Sequence, residues 1–436
     1  MKLKCTFLFF ILIVLSGAGA QAVSGRDSGE LVLTVEEAVQ IALNNNLSLE
    51  RNAIDLGGKR RAADRSWNTL IPVITTTAVA GHPTSITSEI PPAQDIWIPG
   101  FQISATLNLS VSTIDNIKKT RIDYEAGVLT YEQAKQRLEL QVRKLFYQII
   151  LIESGRELAE RNFESAQARY DQIATLVKAG QAARLDEMTA RVDMENKRPN
   201  VRNAHTQYEN AMDLFKNLLG LPQEQAVALS GILQYEDSGI TGEIPRSESL
   251  EAAILQKSIT SLEAQRNAAR NGAYIPVINL SWKSTPLYNT KGGKWNDSEG
   301  SFTIGLGISL DNFLPWSPAR SRIDSLNDSI HSAEIQLGET LRDHESRITQ
   351  YQRTIEQAKE NIVTLRFNVE LAQTTYALYE EAYSGGAVDY QRLRDADDSL
   401  LLAQNRVQQE QYNLISAILD LERELNVLFG TSKKGI

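Results

Sequence analysis

Two stretches of regularly alternating hydrophobicity constrain the fold of this chain more than any other feature. They are GFQISATLNLSVS at residues 100–112 and SFTIGLGISL at residues 301–310. Every second side chain is apolar and its neighbours are small or polar, which is typical of a β-strand with lipid on one face and water on the other. VINLSWK, from Val277, alternates similarly, whereas VITTTAVA, from Val73, alternates less cleanly. We therefore predict four strands per chain, in hairpins at 73–112 and 277–311.

The five tryptophans of the sequence all lie in or beside these strand segments. Tryptophan gathers where a transmembrane β-barrel crosses the membrane interface, so we predict that they are membrane-interface aromatics. A soluble core built around the same tryptophans is the alternative interpretation. The five residues are Trp67, Trp97, Trp282, Trp295 and Trp316.

Long helical segments account for most of the remaining chain. From Pro318 to Ser384, apolar residues recur at alternating steps of three and four, which indicates a coiled-coil seam with one stutter. Residues 115–178 form a similar stretch, and each helix would be roughly 100 Å long. Thr34, followed by Glu37, predicts a capping box at the start of an earlier helix that runs to about Trp67.

The two halves of the sequence are related by duplication. NFESAQARY, from Asn162, matches NVELAQTTY, from Asn368, and Gly180 corresponds to Gly386 at the same offset. Glycines at 180, 385 and 386 would let each long helix reverse into the next. The predicted segments are a signal peptide at 1–20, a first repeat at 21–221 turning at 179–181, a connector at 222–246, a second repeat at 247–429 turning at 385–387, and a tail at 430–436.

The N-terminal residues have the pattern of a secretory signal. Lys2 and Lys4 precede an apolar run and then small residues, which predicts cleavage after Ala20 or Ala22; a membrane anchor is the alternative. The single cysteine, Cys5, lies inside this segment, so no disulfide or thiolate metal site is expected after cleavage. The net charge of −9 argues against nucleic acid as a partner.

Four strands cannot cross a membrane as an open sheet, because unpaired backbone groups in lipid cost several kcal/mol each. The sheet must therefore close against copies of itself. Two chains would supply eight strands and an interior filled by side chains, whereas three would supply twelve strands and a passage.

The order and duplication of these segments resemble those of the TolC-like outer-membrane efflux protein family. The pieces that carry the resemblance are LTVEEAVQIALNNNLSLE from Leu33, the two IPV tripeptides from Ile71 and Ile275, and YSGGAVDYQRLRDADDSLLLAQN from Tyr383. The resemblance implies a mainly α-helical chain with a transmembrane β part, closing as a homotrimeric 12-stranded barrel on an α-helical tunnel. It implies a passive outer-membrane channel with a periplasmic extension, contacted by outer-membrane lipid, a periplasmic adaptor and an inner-membrane pump.

The resemblance also implies roles for particular residues. Asp395 matches the aspartate of the pore constriction. Asp186 and Tyr383 match members of a lock that holds the tunnel shut, with Arg392 in place of the family's arginine, whose position is Val388 here. The alternative for both aspartates is an ordinary solvated carboxylate. The turns that contain Gly180, Gly385 and Gly386 are where the family meets its adaptor.

No feature of the sequence predicts an enzyme or a cofactor. The four histidines, His82, His205, His331 and His344, have no metal-ligand spacing, and His344 falls on the coiled-coil seam. Neither a Gly-rich phosphate loop nor a nucleophile with its base is present in the pattern. Two rival classes remain open: a periplasmic coiled-coil adaptor, which usually has one hairpin flanked by β-domains, and a secreted enzyme.

Overall fold

The computed structural model of the chain describes residues 30–81, 98–233, 249–289, 294–295 and 300–430. The predicted signal peptide, Trp97, His82, the second half of the predicted connector and nearly all of the predicted tail lie outside the described residues.

Helices dominate the described part of the chain. They are α1 (Val35–Asn45), α2 (Leu47–Asp64), α3 (Val111–Lys178), α4 (Arg184–Leu219), α5 (Leu250–Tyr274), α6 (Pro318–Ser384) and α7 (Tyr390–Glu424). The strands are β1 (Leu31–Leu33), β2 (Val73–Gly81), β3 (Ile98–Leu109), β4 (Val227–Leu229), β5 (Val277–Ser284), β6 (Tyr288–Asn289), β7 (Lys294–Trp295) and β8 (Ser301–Gly307).

The first helix begins at the predicted capping box but ends earlier than expected. The Thr34 hydroxyl accepts from the backbone N–H of Glu37, and the Glu37 carboxylate accepts from the backbone N–H of Thr34. At Asn46 the backbone becomes extended, and the Asn46 side chain caps a second helix while its amide donates to the carbonyl of Leu218, at 2.9 Å. The single helix predicted to run to about Trp67 is therefore two helices, followed by a 3-10 turn that contains Trp67.

The two long helices have the length that the heptad pattern predicts. Helix α3 has 68 residues and α6 has 67, so each is about 100 Å long. Helix α6 begins at Pro318, where the hydroxyl of Ser317 caps the first turn and proline needs no hydrogen bond. Seam residues such as Ile355 and Ile362 pack against α7, beside Leu421.

The core lies where the first-half helices meet. Phe146 and Ile149 of α3 and Phe215 of α4 are fully buried, together with Ala38 and Ala42 of α1. Strands β1 and β4, which the sequence did not predict, pair in parallel beside this core. The parallel pair ties the start of the described chain to the segment that follows α4.

The order of the helices leaves two open sides. Helix α3 contacts α1, α2, α4, α5 and α7, whereas α4 packs mainly on α3 and α6 packs mainly on α5 and α7. Helices α2 and α5 lead directly into strands β2 and β5, so they lie at the sheet end of the molecule. Helices α4 and α7 follow the turns at the opposite end, which we call the tip.

The sheet at this end of the molecule is antiparallel and has four strands, in the order β2-β3-β5-β8. Two predicted strands end sooner than the alternation suggested. Val111 is the first residue of α3, because the Ser110 side chain caps that helix by accepting from the N–H of Thr113. Leu310 starts a 3-10 helix, Leu310–Phe313, instead of continuing β8.

Candidate functional site

The sheet has one apolar face that is largely exposed. Its register places Leu107, Leu280 and Ile304 in one cross-strand row, with Ile278 below Leu280 and Trp282 above it. Ile304 is 68 % exposed, although a water-soluble sheet would cover such a side chain. Other exposed apolar residues on this face are Ile74, Phe101, Phe302 and Leu306.

The opposite face of the sheet is polar. The hydroxyls of Thr75 and Ser104 hydrogen-bond across β2 and β3 at 2.7 Å, and the amide of Asn279 donates to Asn108 across β5 and β3 at 2.6 Å. Strand β2, which alternates poorly in sequence, nevertheless sets Thr75 on this face and Ile74 on the apolar one. The sheet therefore separates an apolar side from a water-compatible side.

Aromatic residues lie toward both ends of the sheet. Trp282 pairs with Phe302 near the outer end, and Trp295 stacks on Phe101 with ring centroids 5.5 Å apart. Trp67 and Trp316 lie at the helical end and are 57 % and 79 % exposed. Trp97 is outside the described residues. The four described tryptophans are thus on the surface near the sheet, as membrane-interface residues would be, and a packed soluble core is absent around Trp316 and Trp67.

The sheet also has two unpaired edges. Within the described residues, β2 pairs in this sheet with β3 alone, and β8 pairs with β5 alone. Each edge strand therefore presents a row of backbone N–H and C=O groups that could pair with another chain.

Helices α6 and α4 have exposed apolar stripes. On α6, Val363, Phe367, Leu371 and Leu378 share one side of the helix and are 56–71 % exposed. We call this set the α6 stripe. On α4, the set of Leu185, Met188 and Val192, which we call the α4 stripe, is 60–73 % exposed. Both stripes lie toward the tip, one on each helical hairpin of the chain.

The two tip turns have the same geometry. Gly180 and Gly386 have φ of 74° and 73°, values that favour glycine. After each, the next backbone N–H donates to a carbonyl five residues back, which is the Schellman pattern: Gln181 to Leu176 and Ala387 to Ala382, both at 2.8 Å. Gly385 is instead right-handed. A Cβ at position 180 or 386 would meet nothing within 4 Å.

The predicted lock residues come together only in part. Burial, and next the negative charge of Asp186, raise the pKa of Tyr383, so these two side chains are near each other. Arg392 is on an exposed helix surface, and within the described residues no ion pair joins it to Asp186. Tyr383 instead packs against Tyr390 at 5.9 Å between ring centroids.

Polar contacts that the sequence did not predict join the two hairpins near the tip. The Tyr390 hydroxyl donates to Asp193 of α4 at 3.2 Å, and burial followed by the Asp193 charge raises the pKa of Tyr390. Asp397 of α7 lies 3.4 Å from Lys197 of α4 and 3.9 Å from Arg169 of α3. We call Arg169, Lys197 and Asp397 the tip cluster. Its side chains are only 12–15 % exposed.

Asp395 has a different environment from Asp397. Its side chain is 61 % exposed and accepts from Gln391 at 3.2 Å and from the neighbouring Arg394 at 3.4 Å. Gln391, Arg392, Asp395 and Asp398 form one exposed surface of α7. A single chain therefore leaves Asp395 facing away from its own helices.

The described histidines are structural or solvent-exposed. The buried Nδ1 of His344 lies 3.1 Å from the Glu424 carboxylate. Burial opposes ionisation of Glu424, but hydrogen bonds from His344 and Arg423 outweigh it and lower its pKa. His205 and His331 are exposed beside glutamates of their own helices. Within the described ranges, no cluster of ligating side chains could hold a metal ion.

The helices have no membrane-spanning segment in the part of the chain that is described: none combines the length and the hydrophobicity needed to cross a bilayer.

Solved structures with a similar architecture include outer-membrane channels. The family model described as outer membrane efflux protein matches residues 38–221. The CmeC outer membrane channel of Campylobacter jejuni superposes with a TM-score of 0.78 at 14 % identity, covering 90 % of this chain and 85 % of that one. The outer membrane protein VceC of Vibrio cholerae gives 0.76 at 13 %, covering 91 % and 96 %.

The open state of the Neisseria gonorrhoeae MtrE outer membrane channel gives a TM-score of 0.75 at 16 % identity, covering 90 % of this chain and 89 % of that one. Comparison with curated protein sequences finds no match. At these identities the structural likeness is one of fold. Together, the family match and the fold confirm the resemblance to outer membrane efflux proteins.

Proposed function

We propose that the chain is the outer-membrane exit channel of a tripartite efflux or secretion system, and that three copies close into a 12-stranded barrel on an α-helical tunnel. The observation that carries the proposal is the two-faced sheet joined to helices about 100 Å long. Lipid would cover the apolar face, and the polar face would line a passage that the helices continue into the periplasm. The channel would be passive, because energy would come from the pump.

The unpaired edges support closure between copies. Strand β8 of one chain would pair with β2 of the next, which would satisfy both rows of backbone groups. The α6 stripe of one chain would pack near the α4 stripe of its neighbour, because both stripes are apolar and exposed in a single chain. Twelve strands leave a passage, whereas eight would be filled by side chains.

A mass measurement in mild detergent tests the closure. We expect three chains per particle for the parent, and loss of that species for Phe367→Asp, which places a charge in the α6 stripe. Gln373→Asp is the matched control, because residue 373 is exposed and projects about 120° around the helix from Phe367. A parent chain that inserts into bilayers as a stable monomer would refute the proposed channel.

The gate is proposed at Asp395. Its exposed position on α7 is compatible with a ring of three carboxylates around the trimer axis. At about 6 Å separation, each pair would repel by roughly 3 kcal/mol at an effective dielectric near 20, so the ring would attract cations. We expect Asp395→Asn to weaken cation selectivity in planar bilayers. Asp398→Asn, on the same exposed surface, should weaken it less because Lys197 of α4 lies 3.7 Å from the Asp398 carboxylate and offsets its charge. Asp397 is unsuitable as a control because it belongs to the tip cluster.

The tip turns are proposed as the contact for a periplasmic adaptor. Gly180 and Gly386 are exposed, and open space surrounds each Cα. Gly386→Trp would add a bulky surface group, with a backbone strain of about 1–2 kcal/mol. We expect the trimer to persist and export to be lost. Photo-cross-linking from residue 387 to a periplasmic protein that is anchored in the inner membrane should also be lost. Unchanged cross-linking and export would place the adaptor elsewhere.

The alternative function, a periplasmic adaptor, makes a different prediction for localisation. An adaptor would leave the outer-membrane fraction when membranes are washed, and it would need a protein cover for the exposed apolar face. The two hairpins and the fold matches to outer-membrane channels favour the exit channel. Fractionation with detection of a heat-sensitive oligomer separates the two.

A further inference from the structure

The polar face of the sheet is almost without charge. The four strands of the sheet, Val73–Gly81, Ile98–Leu109, Val277–Ser284 and Ser301–Gly307, contain one ionisable residue, Lys283. The other residues of the polar face are mainly hydroxyl, amide and glycine positions, such as Thr106, Asn279 and Gly305. Lys283 is therefore the fixed charge of this surface.

The register places Lys283 on the polar face and toward the outer end. Its cross-strand partners are Ser104 on β3 and Ser301 on β8, both of which belong to that face, whereas its neighbour Trp282 belongs to the apolar face. Lys283 is exposed, and within the described residues no ion pair joins it to a carboxylate. Six residues of extended strand separate it from Val277, so it lies about 20 Å beyond the helical end.

We infer that Lys283 is a selectivity-determining residue of the exit: three copies form a basic ring in the lumen, which enriches anions and depletes cations near the outer mouth. The inference rests on the proposed trimeric channel. The outer end would therefore prefer anions, whereas the Asp395 carboxylates proposed at the tip would prefer cations. Anionic and neutral solutes would therefore leave the barrel more readily than cations of the same size.

The dimensions of a 12-stranded barrel make such a ring effective. With strands about 4.8 Å apart and tilted about 40°, twelve strands give a backbone diameter of about 24 Å. Lysine side chains that reach about 6 Å inward would leave their charges about 6 Å from the axis. With screening included, three such charges enrich a monovalent anion on the axis about fivefold at 0.15 M salt and more than tenfold at 0.01 M.

Planar-bilayer recordings of the full chain in a potassium chloride gradient test the inference. We expect Lys283→Gln to lower the anion-to-cation permeability ratio several-fold relative to the parent, Lys283→Glu to lower it further, and Lys283→Arg to retain the parent ratio. The differences should grow as the salt falls from 1 M to 0.01 M, because the Debye length grows from about 3 Å to about 30 Å.

Cysteine labelling tests the position independently of conductance. The single cysteine, Cys5, lies in the predicted signal, so the remaining chain offers a cysteine-free background. A negatively charged, water-soluble thiol reagent should modify Lys283→Cys in bilayer-inserted channels and should leave Trp282→Cys unmodified.

The outcomes separate this inference from the proposed channel. If the parent conducts but the Gln and Glu variants keep its permeability ratio at low salt, the basic ring is refuted and the channel stands. Preferential labelling of Trp282→Cys also refutes the basic ring, because the face that contains residue 282 would then be the one in contact with water. A parent that forms no conducting trimer refutes the proposed channel itself.

Discussion

A lysine in place of Leu280 should prevent assembly, whereas a lysine one residue later should be tolerated. Leu280 is at the centre of the apolar face, between Leu107 and Ile304 on the neighbouring strands. Ser281 is on the polar face, opposite Thr106 and Thr303. The two positions share a strand, a depth and a backbone environment, so they differ mainly in what each face contacts.

The expected magnitude follows from the position of Leu280 midway along β5, which extends from Val277 to Ser284. A lysine on the lipid face near the midplane costs about 2–4 kcal/mol, falling to about 0–1 kcal/mol near the interfaces. Three copies would cost about 6–12 kcal/mol per trimer, which is comparable to the whole stability of a typical protein, about 5–15 kcal/mol. In the lumen, the ammonium of Ser281→Lys stays hydrated, so its cost should be within about 1 kcal/mol per chain.

The assay is the yield of heat-sensitive trimer in the outer-membrane fraction, followed by urea titration of chains refolded into liposomes. Leu280→Lys should give almost no trimer, and Ser281→Lys should give nearly the parent yield. Equal yields would refute the division of the sheet into lipid and water faces. A greater loss for Ser281→Lys would show that the polar face is the one in contact with lipid.

Three further predictions concern the helical part. Gly220→Ala should lower the free energy of unfolding by about 2 kcal/mol or more, because φ is 70° and the added Cβ would lie 2.5 Å from the carbonyl oxygen of Asn45. A denaturant titration that monitors helix content measures this loss of stability. Asp397→Ala should cost about 1–3 kcal/mol because it leaves the partly buried Lys197 with only the more exposed Asp398, 3.7 Å away, and adding Lys197→Met should recover part of the loss in a double-mutant cycle. The pKa of Glu424 is lowered in the folded state, so the stabilisation that its carboxylate provides is complete above the ordinary pKa of 4.5. This stabilisation is lost as the pH falls through the lowered pKa of the folded state. Glu424→Gln should therefore flatten the acid side of the stability–pH curve.

The helices were predictable where local chemistry marks their ends. Ser317 followed by Pro318 is a strong start signal, and Gly385 with Gly386 is a strong stop, so α6 has the predicted bounds. The break at Asn46 was missed because its stability comes partly from a hydrogen bond to Leu218, which is distant in the sequence. Alternation likewise cannot mark the end of a strand, because Val111 continues the pattern after Ser110 has already capped α3.

Fewer features of the candidate site than of the helices could be predicted from the sequence. Asp397 of the tip cluster contacts residues 200 and 228 positions earlier in the chain, on helices of the other hairpin. Hydrophobic periodicity does not predict such contacts. Lys283 could have been found, because it is the one charge in an otherwise uncharged alternating segment. The role of Asp395 depends on which side chains three copies would bring together around the trimer axis. Neither the sequence nor a single chain shows that arrangement, so the role of Asp395 stays a prediction.

The length of α3 and α6 gives these helices a mechanical property. Over about 100 Å, a tilt of about 5° at the sheet end displaces the other end by about 9 Å, which is roughly the distance between packed helices. In the proposed trimer, the long helices would therefore act as levers that pivot at the sheet end. Contacts near the tip, such as that between Tyr390 and Asp193, oppose this displacement with the greatest leverage. In the proposed channel, a few hydrogen bonds there would set the width of the opening, although the mass of the protein lies elsewhere.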